Sequence, residues 1–563
     1  MNRFKHIWKE ESATLKKADY IILGIIILLY SILSFYNLGS NINPQTYVHL
    51  DTDDAVVIEL TGDATDVTKV RAFAGPELGT YRLYGSQDGI TYQYIKDMEL
   101  TSVFSWFDTE LDANLKYLKA VATSDDVYLG EIQLYDRYGY KLEEQAGDDF
   151  SLRSADELDT VPSQISYMNS TYFDEIYFAR TAYEYAHGMT AYEWVHPPLG
   201  KVIQMIPILF MGMTPFAYRL MGNIAGIAMI AVLYVFAKNM FKKRKYAIMA
   251  ALLMAFDTFH FAQSRMGTVD TFLVLFILLA YLFMYKYISK PKEEKLSKRL
   301  GLLALSGLFM GMSIATKWTG CFAALGLAIL FFYHLIKNNF GKGKKWTKDT
   351  TIIVLSCVGF FVIVPLVIYI GIYFLFPNLV PYPIHNLSDL WKQTQAVYEY
   401  HSTLNATHPF TSPWYSWPIM WKPVWYYVAY FAGNMKQTIA GIGNPAIWWA
   451  GAVALFYILY RAIFKKDGNS AFLLVAFLTG FLPYLFIGRI MFLYHYFPVL
   501  PFVMLALVAM FRGITERTKS DKFMIAFLIV VAILFAIFLP IASGRMMPAE
   551  YINAMRWLPE WFF

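Results

Sequence analysis

Apolar residues in this chain gather into long unbroken blocks. After an isolated block at 20–36 (YIILGIIILLYSILSFY), others run over 199–213, 216–238, 246–262, 268–288, 300–317, 320–337, 351–376, 445–464, 470–487, 491–511 and 523–541. A helix rises about 1.5 Å per residue, so roughly 17 or more apolar residues cross the ~30 Å of hydrocarbon in a bilayer. Lys and Arg cluster between the blocks, at KKRK (242–245), KPKEEKLSKR (290–299), KNNFGKGKKWTK (337–348), RAIFKK (461–466) and RGITERTKSDK (512–522). Basic loops stay on the cytoplasmic side. All five share one face with the N-terminus only if one block does not cross. The 199–213 block is short, contains Pro207 and follows His-Pro-Pro, so it reads as a helix lying in the outer interface. About eleven spans remain, with the N-terminus cytoplasmic and the 542–563 tail external.

The first external region has a different period. Over 46–140 the segments VVIELTG, KVRAFAG, YRLYGSQDGITYQYI, SWFDTEL, LKYLKAVAT and VYLGEIQLYD are separated by Gly, Asp, Ser and Pro. Alternation with period 2 in strands this short predicts an all-β sandwich. A second external segment, 165–213, carries the densest titratable groups and the interfacial helix, and 377–445 is an external loop rich in Trp and Tyr. The remaining spans divide into 216–376 and 445–541, after a first unit of 1–36.

Composition sharpens the class. The 563 residues are 57% hydrophobic and 16% charged, with mean hydropathy +0.38, where a soluble chain carries about a quarter charged residues. The net charge of +5 is sorted by membrane side and not pooled, which excludes a nucleic-acid binder. Cys321 and Cys357 both sit in apolar blocks and read as small buried side chains, not as a disulfide or thiolate metal site. The N-terminus, MNRFKHIWKEESATLKKADY, is basic and amphipathic and precedes an apolar run with no small-residue cleavage site, so 20–36 reads as a retained span.

Ionisable groups beside lipid are costly and usually functional. In FDEIYFARTAYEY (173–185), Asp174 and Glu175 project in different directions, so at most one faces a reacting centre. Desolvation suits such a carboxylate to act as a general base; otherwise the pair simply opens a helix at its positive end. In VHPPLGK (195–201), the prolines bias His196 away from helix, and Lys201 falls in the first helical turn, as an anion ligand or a snorkelling anchor. FDTFHFAQSRMGTVDTFLVLF (256–276) places Arg265 and Asp270 in a short outer hairpin, where Arg265 either binds phosphate or pairs with Asp270. Lys317 and Trp318 in ATKWTG (315–320) repeat the theme, as a cation–aromatic anchor or a ligand contact. The loop NATHPFTSPWYSWPIMWKPVWYY (405–427), with His408 and Trp414, offers flat aromatic platforms or a membrane belt. RIMFLYHYFPVLPF (489–502) opens a span with Arg489, Tyr494 and His495. No Walker loop, Gly-rich nucleotide turn or Cys/His metal cluster is present, so the sequence requires no cofactor and leaves a divalent metal open.

Taken in order, FDE (173–175), HPPLGK (196–201), FDTFHFAQSRMGTVDT (256–271), ATKWTG (315–320), HPFTSPWYSWPIMWKPVWYY (408–427) and FLYHYFPVLPF (492–502) resemble the protein O-mannosyltransferase family, on its bacterial side. The β-trefoil module of the eukaryotic enzymes is missing. YRLYGSQDGITY, LKYLKAVAT and GEIQLYD resemble instead a discoidin-like jelly roll inserted in the first external loop. The resemblance implies a GT-C glycosyltransferase fold in the cell membrane. It implies inverting transfer of mannose from a polyprenyl-phosphate-mannose donor to Ser or Thr of secreted or membrane proteins, alongside the secretion translocon. It makes Asp174 the base, with Glu175 supporting the acceptor site, and gives the donor phosphate to Arg265, with Lys201, Lys317 and Arg489 as further cations. His196, Asp270, Trp318, His408, Trp414, Tyr494 and His495 would line the pocket. A related enzyme acting on a lipid or glycan acceptor is the alternative. A transporter should show repeated halves and midplane charges, which this chain lacks. A sensor would not need so large a membrane part.

Overall fold

The computed structural model describes residues 13–340 and 345–563. The first half of the basic N-terminal segment and residues 341–344 of the 337–348 loop lie outside the described residues. The chain forms two compact units, one of 37–192 with 204–220 and one of 1–36, 193–203 and 221–563.

The first unit holds the sandwich. Its strands are β1 (Val48–Leu50), β2 (Ala55–Leu60), β3 (Thr65–Ala74), β4 (Gly79–Ser86), β5 (Gln93–Leu100), β6 (Ser105–Leu115), β7 (Tyr117–Ala122), β8 (Val127–Asp136) and β9 (Glu144–Ala146). They pair antiparallel into a four-stranded sheet, β1-β8-β3-β6, and a five-stranded sheet, β5-β4-β7-β2-β9. The alternation in the sequence is the packing pattern: in β2 the buried residues are Val56, Ile58 and Leu60, and in β7 they are Leu118, Ala120 and Ala122. These meet Leu83, Ile132 and Leu134 in the core between the sheets.

The four-stranded sheet is covered on its other face as well. Phe73, Trp106, Tyr47 and Phe104 form a second core with Ala179, Ala182 and Tyr183 of a helix, and with Ile208, Met213, Ala217 and Tyr218. That double cover explains why β8 is buried almost continuously, with Gly130 allowing close approach to Phe73.

With α1 (Lys17–Phe35) in the second unit, the helices continue as α2 (Glu175–Ala186), which docks on the sandwich, α3 (Leu199–Met211) and α4 (Pro215–Phe241). Then come α5 (Arg244–Ala255), α6 (Thr258–Ser264), α7 (Asp270–Ile288), α8 (Leu296–Thr316), α9 (Gly320–Asn339), α10 (Lys348–Leu375), α11 (Leu387–Thr403), α12 (Pro445–Phe464), α13 (Gly468–Phe481), α14 (Leu500–Thr518), α15 (Lys522–Ser543) and the short α16 (Ala549–Ala554). Among the described residues, ten helices are long and apolar enough to cross a membrane, or eleven if the bent pair α5 and α6 counts as one span.

Three expectations change. The 246–262 block is not one straight helix: α5 and α6 meet at 61° around Phe256–Asp257. Asp257 breaks the run because its carboxylate leaves the helix to accept from the His260 amide, the Asn444 amide and Trp448 Nε1. The 377–445 segment is an ordered layer and not a plain loop. It comprises α11, a 3₁₀ turn over Trp414–Ile419 and a hairpin of β10 (Val424–Phe431) and β11 (Met435–Gly441), which β12 (Met547–Pro548) extends. The two thiols are free, but they are not both buried: Cys321 is exposed. It lines the cavity described below.

Candidate active site

A cavity of about 1180 Å³ opens in the second unit, between α8, α9, α10, α11 and the stretch before α14. Its lining divides by chemistry. One part carries His196, Lys317, Trp318, Thr394, Tyr398, His401, Ser402, Asn405 and Arg489. The other carries Met310, Ile314, Phe361, Val362, Pro365, Leu366 and Phe486. Val362 is 51% exposed, Leu366 53% and Phe486 86%, although all three belong to helices apolar enough to span. Uncovered apolar side chains on a spanning helix face lipid, so the cavity is polar at one end and open to hydrocarbon at the other.

Short-range geometry builds the polar end. The prolines of VHPPLGK start α3, and Lys201 in its first turn is fully buried. Its Nζ lies 2.5 Å from Glu193 Oε2 and donates to the His196 carbonyl at 3.0 Å, while His196 Nδ1 lies 2.7 Å from Glu193 Oε1. Gly200 permits the next contact. A Cβ there would stand 2.7 Å from Val269 Cγ1 and 3.0 Å from Thr316 Cγ2, so only glycine brings this turn against the start of α7 and the end of α8. At that junction Lys317 Nζ donates to Asp270 Oδ1 at 2.9 Å and lies 5.5 Å from the Tyr494 ring centroid. Asp270 is the first residue of α7, where the helix dipole favours a carboxylate.

The electrostatics follow. Burial raises the Glu193 carboxyl, but Lys201 and His196 more than reverse this and bring it to about 2. Its contribution to stability is therefore complete above its ordinary value of 4.5 and is lost as pH falls toward 2. Glu193→Gln should lower the melting temperature in detergent at pH 7 and flatten the wild-type loss between about pH 4.5 and 2. Parallel wild-type and variant acid limbs would contradict this. His196 is held below its ordinary value by burial, against the pull of Glu193. Burial, then His196 and Arg489, push His401 down to about 4. Both rings are thus neutral at neutral pH. Lys317 and Arg489 line the cavity beside these rings. Arg489 is half-buried and pairs with no carboxylate among the described residues.

The other anticipated residues are distributed as follows. Arg265 ends α6, is buried, and donates to the Tyr36 carbonyl at 2.9 Å and the Ser543 carbonyl at 3.3 Å; it does not line this cavity. The hairpin pair Arg265–Asp270 gives way to Lys317–Asp270. His495 is buried and stacks on Trp417 with centroids 5.9 Å apart, Trp414 packs edge-on to Phe481, and His408 is exposed against Phe492. In the first unit, Asp174 is half-buried at the start of α2, and its side chain does not cap the helix. Phe173 before it has φ +51°, a left-handed conformation that costs a bulky residue about 1–3 kcal/mol and clusters at functional positions. Glu175 is fully buried and grips Arg219, with Oε1 and Oε2 each 2.7 Å from a guanidinium nitrogen. Arg219 donates further to the carbonyls of Leu38, Tyr167 and Ser170. Glu193 belongs to the titratable groups crowded into 173–201, whereas Arg219 and His401 are not among the residues singled out from the sequence. A charged residue near the start of a spanning helix was a signal for Arg219, whereas His401 lies in a polar helix with none.

Fold and site together define an integral-membrane glycosyltransferase of the GT-C type carrying an inserted β domain. The chain superposes on the S. cerevisiae protein O-mannosyltransferase Pmt1-Pmt2 complex bound to the sugar donor with a TM-score of 0.63, at 15% identity, over 70% of this chain and 89% of that one. Two family profiles match, "Dolichyl-phosphate-mannose-protein mannosyltransferase" over 203–378 and "C-terminal four TMM region of protein-O-mannosyltransferase" over 386–561. The chain belongs to the protein O-mannosyltransferase family. It is 25% identical over 450 residues to the polyprenol-phosphate-mannose–protein mannosyltransferase of Mycolicibacterium smegmatis, covering 69% of this chain and 87% of the relative. It is also 25% identical over 434 residues to the enzyme of the same name from Corynebacterium glutamicum, covering 65% and 81%.

Proposed function

We propose that this protein transfers mannose from a polyprenyl-phosphate-mannose donor to Ser or Thr hydroxyls of polypeptides at the outer face of the cell membrane, with its N-terminus cytoplasmic and beside the secretion translocon. The observation that carries the reading is one cavity lined both by the cations Lys317 and Arg489 and by apolar side chains exposed on spanning helices. A polyprenyl phosphosugar has an apolar chain and a phosphodiester of single negative charge, and each end finds its match.

In the proposed reaction Asp174 takes the proton of the acceptor hydroxyl. Its oxygen attacks the anomeric carbon on the side opposite phosphate, the carbon–oxygen bond to phosphate breaks, and the configuration inverts. The departing lipid phosphate gains a negative charge, which Arg489 and Lys317 stabilise in a water-poor setting. A phosphate is already a good leaving group, so one base and cations suffice. Arg265, bonded to two backbone carbonyls, anchors the α6–α7 hairpin in this scheme. Glu175 supports the acceptor side by fixing the start of α2 through Arg219. In this reading the sandwich over 48–146 is the discoidin-like module.

The test is an incubation of purified protein with labelled polyprenyl-phosphate-mannose and either a Ser/Thr peptide or a glycolipid. Label on the peptide supports the proposal, and label on the glycolipid alone assigns the protein to the related lipid-directed enzymes. Arg489→Gln should weaken donor binding about tenfold or more, the scale of one lost charge-assisted hydrogen bond. Unchanged binding would remove Arg489 from the phosphate site.

A further inference from the structure

His401 reaches the cavity from α11, outside the spans, and its two ring nitrogens have different surroundings. Nε2 lies 3.0 Å from the Val195 carbonyl oxygen. A carbonyl can only accept, so Nε2 carries the ring proton and Nδ1 of the neutral ring keeps its lone pair. Nδ1 is buried and makes no hydrogen bond among the described residues. An unpaired buried acceptor is costly to hold and calls for a partner from outside the chain. The ring is also fixed in orientation. It meets His196 edge-on at 5.5 Å and Trp318 at 6.2 Å, and the neighbouring Tyr400 packs on Trp194 at 5.7 Å.

Burial and the neighbouring cations keep the ring neutral near pH 7. A neutral lone pair does not bind phosphate, whose oxygens are themselves acceptors. It requires a donor. Of the three parts of a lipid phosphosugar, the hydrocarbon has no donor and the ionised phosphate has none, whereas the sugar carries several hydroxyls.

We propose that His401 Nδ1 accepts a hydrogen bond from a hydroxyl of the lipid-phosphate-linked hexose, and that this contact makes donor selection depend on the sugar. The inference rests on the reading of the cavity as the donor site. Division of labour follows: Arg489 and Lys317 hold the phosphate, and α11 reads the sugar.

The experiment measures binding of polyprenyl-phosphate-mannose and of sugar-free polyprenyl phosphate to the full-length protein and to His401→Phe and His401→Gln. The Phe variant should bind the mannosyl lipid about tenfold more weakly and the bare lipid phosphate within about twofold of wild type. Gln, which offers both an N–H for Val195 and an acceptor, should recover most of the loss. Equal weakening of both lipids, no weakening of either, or no recovery with Gln would overturn the proposal. His401→Leu replaces the Phe variant should the latter not fold. Wild-type protein that binds neither lipid would overturn the donor-site reading itself, a result distinct from a variant that behaves like wild type.

Discussion

Asp174→Asn is expected to lower mannosyl transfer by about 10²–10⁴-fold, the usual contribution of a positioned general base. Asn keeps the shape of the side chain but cannot take the acceptor proton. The Asp174 side chain does not cap α2, so the helix should survive the change and donor-lipid binding should stay close to wild type. Turnover with labelled donor and peptide, measured beside donor binding, separates the two properties. A variant keeping more than about a tenth of wild-type turnover would sink the assignment of the base.

One residue along, Glu175→Ala should be damaging for a different reason. It leaves the Arg219 guanidinium fully buried with its carboxylate gone, and breaking such a pair costs about 3–5 kcal/mol. Thermal melts in detergent should show a large loss of stability, with activity falling only as folded protein is lost. Arg219→Met combined with Glu175→Leu should recover part of that loss, because replacing both partners removes the stranded charge. A Glu175→Ala protein as stable as wild type would mean that the pair is not what holds the start of α2.

These adjacent carboxylates show where sequence reading reaches its limit. The motif marked a cluster of titratable groups, and the different directions of neighbouring side chains required the two residues to differ. The partner of Glu175 lies 44 residues away at Arg219, and no periodicity carries that information. The same holds for Lys317, whose carboxylate is Asp270, 47 residues distant, in place of the nearer match within one hairpin. By contrast, spans and sandwich were legible because each is a repeating pattern: uninterrupted apolar runs in one, strict alternation in the other. The bend at Asp257 hid inside an apolar block, where a single acidic residue was the clue. The β10–β11 hairpin was hidden by its own aromatics. VWYYVAYF has high strand propensity, but the same residues also suit a membrane belt. His401 gave no warning, because a histidine in a polar helix is ordinary until the fold sets its ring against a cavity.

The packing of α2 on the back of the sandwich bears on how this enzyme can be taken apart. Tyr183 and Ala179 rest on Phe73, Phe104 and Trp106, so the turn bearing Asp174 is seated on β-sheet. Trimming the chain to its lipid-embedded portion, on the view that the β module is a removable accessory, would pull the foundation from under the helix that Asp174 starts. A swap of this module for one from a relative would have to reproduce its outer aromatic face before any change in acceptor preference could be read.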